Sequence, residues 1–123
     1  MSDASNFAEN EIADWIGGNG APSSVTNVFV KLHTGAPGDD GTANAATETD
    51  RMEATFDAAS GGAVALSATV SWTNVSTSET YSHFSLWDAS TAGNCLAVGA
   101  LASSVAVTAG DNFDLTALTV TVA

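Results

Sequence analysis

The segment VFVKLHTGAPGDDGTAN, residues 28–44, joins a strand pattern to a loop pattern within one short stretch. In its first half, Val28, Val30 and Leu32 recur at every second position, so a β-strand would place all three on one face. We therefore predict a strand over Val25–His33 with these three side chains directed into a hydrophobic core.

A long loop is predicted over Thr34–Thr47, directly after this strand. Residues 35–41 contain three glycines and one proline, a composition that excludes a regular helix or strand there. Gly35 and Gly38 can take a positive φ without a steric penalty, and Pro37 sets its own φ. Long loops without secondary structure are uncommon in small domains and usually bind something. We expect this loop to be a preformed contact surface.

Further short segments with alternating apolar residues predict more strands. They are Arg51–Phe56, Val64–Trp72, Tyr81–Asp88, Cys95–Leu101, Val105–Val107 and Phe113–Val122. Val64–Trp72 is predicted as one continuous half-buried strand, with Ala68 among its inward-facing residues. Short strands separated by Gly-rich turns are typical of a mainly β protein. We predict a single antiparallel β-sandwich or jelly-roll-like domain over residues 1–123.

The strand Tyr81–Asp88 differs from the others because it is apolar or aromatic on both faces. Period-two alternation places Phe84 and Leu86 on one face and Tyr81, His83 and Trp87 on the other. This pattern is typical of a central strand that is covered on both sides.

One short helix is predicted over residues 4–16, within an N-terminal segment of residues 1–18. Ser2 or Asp3 could cap its start, and the two glycines after residue 16 would end it. Its apolar residues fall on a single stripe. The stripe consists of Ala8, Ile12, Trp15 and Ile16. It could pack on the sandwich of its own chain or on a neighbouring subunit, and the sequence leaves both open.

The chain is strongly acidic. Its 123 residues contain 14 acidic and two basic side chains, Lys31 and Arg51, for a net charge of −12 at pH 7. Binding of nucleic acid or of an anionic membrane needs clusters of Lys and Arg, so we predict that the chain binds neither. The negative charge favours solubility, and a basic partner surface is the alternative explanation.

No motif for catalysis, phosphate binding or zinc binding is present in the sequence. His33 and His83 lie in predicted strands without a neighbouring nucleophile and are interpreted as structural. Cys95 is the only cysteine, which excludes an internal disulfide, and its apolar surroundings indicate a buried side chain. Asp39 and Asp40 supply too few oxygens at the right spacing for calcium. We predict no catalytic residue, no cofactor and no metal, and therefore not an enzyme.

Four segments carry a resemblance to a known family. They are SNFAENEIADWIGG (5–18), LHTGAPGDDGTAN (32–44), SHFSLWDASTAGNCLAVGAL (82–101) and VTAGDNFDL (107–115). Together they resemble small virion proteins of tailed bacteriophages, which are described as minor tail, tail-fibre or head-decoration proteins. Where that family has Gly-Tyr-Ala-Arg after the loop, this chain has Thr49-Asp50-Arg51-Met52, so only the arginine is shared.

The resemblance implies a non-enzymatic structural protein of the virion that assembles with the major capsid protein or with tail proteins. A homo-oligomer is expected, with a trimer as one option. We predict a capsid decoration, or cement, protein on the outer head surface, because the chain is short, lacks fibre repeats and is acidic. The alternative is a minor tail or tail-fibre-base protein of the same fold.

A more remote alternative is a carbohydrate-binding β-sandwich module, which would need an exposed row of aromatic side chains. Trp72, Tyr81 and Trp87 are the candidates for such a row, although aromatic residues on strands usually belong to the core.

A partner interface is predicted on the loop and on the helix. Its residues are Trp15, Ile16, Gly35, Pro37, Asp39, Asp40 and Arg51. The two aspartates could meet a basic patch on a neighbouring subunit, and a buried tryptophan is a frequent interface anchor.

Overall fold

The structure, a computed structural model, describes residues 2–122. It contains one helix and nine strands within those residues. The helix α1 is Asn6–Ile16. The strands are β1 Ser2–Ala4, β2 Val28–His33, β3 Met52–Ala54, β4 Ala63–Ala65, β5 Val70–Trp72, β6 Glu79–Trp87, β7 Cys95–Val107, β8 Phe113–Leu115 and β9 Thr119–Thr121.

All strand pairs are antiparallel. Five strands form one sheet in the order β1-β7-β6-β2-β3, while β4 pairs with β9 and β5 pairs with β8. Buried side chains from the large sheet and from both small sheets join one hydrophobic cluster. The structure therefore confirms the predicted fold class, a mainly β sandwich-like protein with one short N-terminal helix.

Aromatic packing lies at the centre of this core. Trp72 and Tyr81 are fully buried, and their rings lie 5.7 Å and 5.2 Å from that of Phe113 between centroids. The Trp72 indole N–H donates to the backbone carbonyl of Asp50 at 2.9 Å. Burial raises the pKa of Tyr81 to about 12, so its hydroxyl is neutral at every ordinary pH. These two aromatic residues belong to the core and cannot line a surface.

The central position of β6 is confirmed, since it pairs with β2 on one side and with β7 on the other. The predicted placement of Tyr81 was wrong, however, because it shares the inner core with Phe84 and Leu86. The reason is that the pairing register of β6 and β7 shifts between Tyr81 and His83, where four residues of β7 lie opposite one residue of β6. Such an irregularity interrupts the alternation of side chains between the two faces of the sheet.

The predicted strand Val64–Trp72 is also interrupted, and Ala68 in its middle is exposed. Both halves pair with the same distal segment of the chain. Val64 lies opposite Val120, and Val70 lies opposite Leu115. Between these two pairs the register shifts by one residue. The two predicted strands, Val64–Trp72 and Phe113–Val122, are therefore divided into four, β4, β5, β8 and β9. The two segments predicted from Cys95 to Val107 are, conversely, one strand.

The helix begins later than predicted. Residues 2–4 form a strand on the edge of the large sheet, and Ser5 caps the helix by accepting the N–H of Ala8 at 3.1 Å. The N–H of Ser5 still donates to the carbonyl of Leu96 in the sheet, at 3.0 Å. Because the chain follows the sheet up to residue 5, Ser2 and Asp3 cannot cap the helix.

Substitution by aspartate at two positions of the same predicted strand tests this arrangement. Val70 is 4% exposed in the core, so Val70→Asp should lower the free energy of unfolding by about 3–5 kcal/mol through an unpaired buried charge. Ala68→Asp should change it by less than about 0.5 kcal/mol, because that side chain is exposed. Urea denaturation measures both. Equal losses would contradict the interruption of the strand.

Candidate functional site

The face of the large sheet that points away from the core carries a second hydrophobic cluster, Trp87, Cys95 and Val98. The loop of residues 34–47 folds back over this face instead of extending into solvent. Its buried members are Pro37 and Gly41, and near its end Ala46, which joins the main core. The loop therefore takes the place of a covering layer on this side of the sheet.

A chain of hydrogen bonds connects the loop to this face through His33, which is fully buried. Its Nδ1 lies 2.9 Å from the carbonyl oxygen of Ala43. Because a carbonyl only accepts, Nδ1 carries the proton and Nε2 accepts from the Ser85 hydroxyl, 2.7 Å away. The Ser85 oxygen in turn accepts the indole N–H of Trp87 at 2.7 Å. All these polar groups are paired only while the imidazole is neutral.

Close packing holds the middle of the loop against the sheet at Gly41. Its φ is +75°, and a Cβ on it would lie 2.6 Å from the sulfur of Cys95 and 3.2 Å from the ring of Trp87. Any other residue would force the loop away from the sheet. The close approach therefore requires glycine at this position on two counts, backbone conformation and space.

Hydrogen bonds within the loop give it a defined shape. The N–H of Thr34 donates to the carbonyl of Asn44, and the N–H of Ala43 donates to that of Pro37, both at 2.9 Å. The Asn44 side chain adds a bond to the carbonyl of Ala36 at 2.8 Å. At the tip, one oxygen of Asp40 accepts both the N–H and the hydroxyl of Thr42, which lowers the pKa of that carboxyl.

Arg51 lies over the same tryptophan that the loop covers. Its guanidinium is 4.0 Å from the ring centroid of Trp87, a cation–π contact. One nitrogen, Nη1, donates to the carbonyls of Ala89 at 3.0 Å and Ala92 at 2.6 Å. The arginine that this chain shares with the resembling family therefore ties the segment after the loop to the turn that follows β6.

The helix is attached at its start and free at its end. The N–H of Asn6 donates to the carbonyl of Asp39 at 3.1 Å, which joins the helix to the loop tip. Ala8 and Ile12 are half-buried, whereas Trp15 is 59% exposed and Ile16 76% exposed. The predicted apolar stripe is thus divided. Its first part packs on the chain itself, and its last turn lies in solvent.

The structure separates the predicted interface residues into two groups. Gly35, Pro37, Asp39 and Asp40 belong to the loop that covers the outer face, and Arg51 stacks on Trp87 of that face. Trp15 and Ile16 lie at the far end of the helix, about 15 Å along its axis from Asn6. Whether either group contacts a partner stays a prediction.

The sequence did not reveal the contacts that Ser85 and Trp87 make on this face: Ser85 was not singled out, and Trp87 was considered only as a member of an aromatic row. The spacing of Ser85 and Trp87 at i and i+2, in a strand that is apolar on both sides, was the available signal. The contacts of Ser85 and Trp87 depend on His33, because Ser85 bonds to that imidazole. His33 lies in the neighbouring strand, where it pairs with His83.

The chemistry of this face is structural in character. Burial raises the pKa of the Cys95 thiol to about 11, so it stays protonated at neutral pH and is a poor nucleophile. Carboxylates of the turns accept backbone N–H groups, as Asp88 does from Asn94 at 2.8 Å and Asp111 does from Thr108 at 2.9 Å. Among residues 2–122, no three His, Cys, Asp or Glu side chains converge to hold a metal ion.

One further sequence hypothesis, the carbohydrate-binding module, is answered by burial. Trp72, Tyr81 and Trp87 are all buried, so they form no exposed aromatic row. In the part of the chain that the structure describes, no helix is long and apolar enough to cross a membrane.

A family model described as "Podophage GP4 fiber I protein gp80" matches residues 3–123 of the chain. The chain belongs to this family. The match covers the helix, the loop, Arg51 and both small sheets, and it confirms the resemblance to virion proteins of tailed bacteriophages. The chain is accordingly a structural protein of a phage virion. A comparison with curated proteins gave no match.

Alanine at two glycines with nearly equal φ tests the packing of the loop. Gly41 and Gly18 have φ of +75° and +77°, but a Cβ at Gly18 meets nothing within 4 Å. Both substitutions carry the backbone cost of about 1–2 kcal/mol. Gly41→Ala should add about 1–3 kcal/mol from overpacking. Chemical denaturation measures the difference, and equal losses would show that the loop does not press on the sheet.

The pH dependence of stability tests the neutral state of His33. Burial, with the charge of Lys31, lowers its pKa below the ordinary value of 6.5 although backbone hydrogen bonds oppose the shift. As the pH falls below 6.5, His33 binds a proton in the unfolded chain but not yet in the folded chain. The free energy of unfolding should therefore fall until the pH is below the folded pKa. NMR titration of the imidazole measures that pKa directly, and a value above 6.5 would contradict the hydrogen-bond assignment.

Proposed function

We propose that the chain is a non-enzymatic component of the tail fibres of a podophage-like particle, where it serves as a structural connector. The observation that carries this proposal is the family match over residues 3–123, whose description names a fibre protein. It favours the tail-fibre alternative over the head decoration protein that the short, acidic chain suggested.

Rigidity of the outer face supports a structural role. The loop is held by hydrogen bonds, by the packing of Gly41 and by the tryptophan beneath it, so it presents a fixed surface. A preformed surface loses little conformational entropy when it binds a partner. The buried thiol and the neutral buried imidazole are held for packing and hydrogen bonding, which agrees with a protein that carries out no reaction.

The exposed end of the helix supports attachment to another virion protein. Trp15 and Ile16 are large apolar side chains in solvent, followed by residues 17–27, all of which are exposed. Tryptophan, with tyrosine and arginine, is enriched among the residues that contribute most to binding at protein interfaces. We propose this end of the helix as a contact with other virion proteins, separate from the outer face around Trp87.

Locating the chain in the particle tests the proposal. Antibodies against the folded domain, applied to intact virions with gold labelling and electron microscopy, should mark the tail and leave the head unlabelled. Densitometry of purified virions should give a copy number in the range of tail components. Label distributed over the head, with hundreds of copies per particle, would overturn the proposal in favour of capsid decoration.

A further inference from the structure

The two basic side chains of the chain line one groove, an open depression of about 570 Å³. Its other lining residues belong to the segment 49–52 and to the turn 90–92. In the pairing of β2 with β3, Val30 lies opposite Met52, and the same register continued by one residue brings Lys31 opposite Arg51. Like charges that face each other across two strands are unfavourable. The groove therefore concentrates positive charge.

The described part of the chain leaves this positive charge unpaired, although the sequence has 14 acidic residues. The contacts of Arg51 within residues 2–122 are two carbonyl oxygens and an indole ring. Asp88 acts on Arg51 only at a distance, because its two oxygens accept N–H groups of Asn94. Lys31 makes no hydrogen bond or ion pair within the same residues, and burial together with the charge of Arg51 lowers its pKa.

The guanidinium of Arg51 is held in place with one edge free. Its Nη1 donates to the carbonyls of Ala89 and Ala92, and its plane lies over the ring of Trp87. Nε and Nη2 make no hydrogen bond to any residue from 2 to 122. These two nitrogens form the edge of arginine that binds a carboxylate through two parallel hydrogen bonds. Because the group is already oriented, binding there costs little conformational entropy.

The other polar groups of the groove restrict what such a carboxylate belongs to. Asp50 lines the groove beside the cations and can only accept a hydrogen bond, so it favours a ligand with an N–H donor close to its carboxylate. The net charge of −12 disfavours a ligand with several negative charges. The end of a polypeptide chain meets both conditions, because it has a single carboxylate and a peptide N–H on the same residue.

We propose that this groove binds the C-terminal carboxylate of a partner polypeptide. The carboxylate lies between the amine of Lys31 and the free edge of Arg51, and the N–H of the terminal residue donates to Asp50. Hydroxyl groups of the groove, on Thr49 and Thr91, donate to the carbonyls of the peptide. Two cations suffice for one carboxylate, whereas a nucleic acid needs many more.

The choice of a polypeptide as the ligand rests on the proposed function, in which the partners of the chain are virion proteins. The binding itself is a property of the isolated chain. A failure to bind peptide leaves the location of the chain in the tail unaffected, and a location on the head leaves the peptide binding unaffected.

Two peptides that differ only at their ends test the proposal. Acetyl-Ala-Ala-Ala with a free carboxylate should bind the chain with a dissociation constant of about 1–10 mM at low salt, where the attraction is screened least. The same peptide with an amidated end should bind at least about tenfold more weakly, because it brings no charge. NMR titration measures both. The Arg51 Nε–H and Trp87 indole signals should shift, and the Trp15 indole signal is the internal control.

Two further ligands test whether the groove recognises a chain end or any carboxylate. Acetyl-Ala-Glu-Ala amide carries its carboxylate on a side chain, farther from a peptide N–H, and D-glucuronate has no N–H at all. Both should bind more weakly than the peptide with the free end. Glucuronate that binds more tightly would overturn the proposal in favour of an acidic saccharide.

Variants of the two cations test the site itself. Arg51→Lys keeps the charge but loses the two-pronged edge, and Lys31→Gln removes one charge, so each should weaken binding of the free-ended peptide by about tenfold. Ala68→Asp is the matched control, because it changes the net charge by the same amount as Lys31→Gln at an exposed position outside the groove. Its affinity for the peptide should stay within about twofold of that of the unmodified chain.

The proposal is overturned if the free-ended peptide does not bind, or if the amidated peptide or the glutamate peptide binds equally well. It is equally overturned if Lys31→Gln and Ala68→Asp weaken binding to the same extent, since net charge alone would then explain the effect. Thermal unfolding shows whether each variant is folded. Should Arg51→Lys fail to fold, Lys31→Gln still tests the site, because Lys31 makes no hydrogen bond within residues 2–122.

Discussion

The indole of Trp87 is contacted by the loop from above, by a guanidinium across its ring and by a serine hydroxyl at its N–H, and the outer face of the sheet depends on these three contacts. The loop can lie flat only because Gly41 has no side chain. Arg51 is held over the ring because its Nη1 donates to two carbonyls of the turn after β6. The hydroxyl of Ser85 accepts the indole proton while it donates to His33. One ring therefore joins the loop, the large sheet and the segment after the loop.

The acidic composition has a structural explanation in addition to solubility. Asp40, Asp88 and Asp111 accept backbone N–H groups in the turns they occupy. Glu79 does the same across a longer distance, since its two oxygens bind the N–H groups of Thr47 and Glu48 at 3.0 Å and 3.1 Å. Ionised acceptors make stronger hydrogen bonds than neutral ones. A chain with many loops can therefore hold them in place with carboxylates, and it then needs few cations for its internal structure.

Local sequence pattern was sufficient for the fold class and for the existence of most elements. The alternation of Val28, Val30 and Leu32 identified an inward-facing strand, and the apolar character of both faces of β6 identified the central strand. These inferences succeed because the period of two belongs to the strand itself and does not depend on its partners. The family relationship was also recoverable, because the segments that carry it are contiguous in the chain. Boundaries were less predictable: the helix begins after Ser5 because the sheet holds the residues before it.

The chain alone therefore determined a mainly β, acidic virion protein with a turn-rich loop after its first long strand. The tertiary structure decided where the alternation is interrupted, since a shift in pairing register arises from two strands together. It decided that the loop covers Trp87 and that Lys31 and Arg51 line one groove. Residues far apart in sequence meet there only after the sheet has formed. A contact between two segments cannot be read from the residue pattern within either segment. For this physical reason the sequence revealed the periods of the strands but not the contacts on the outer face.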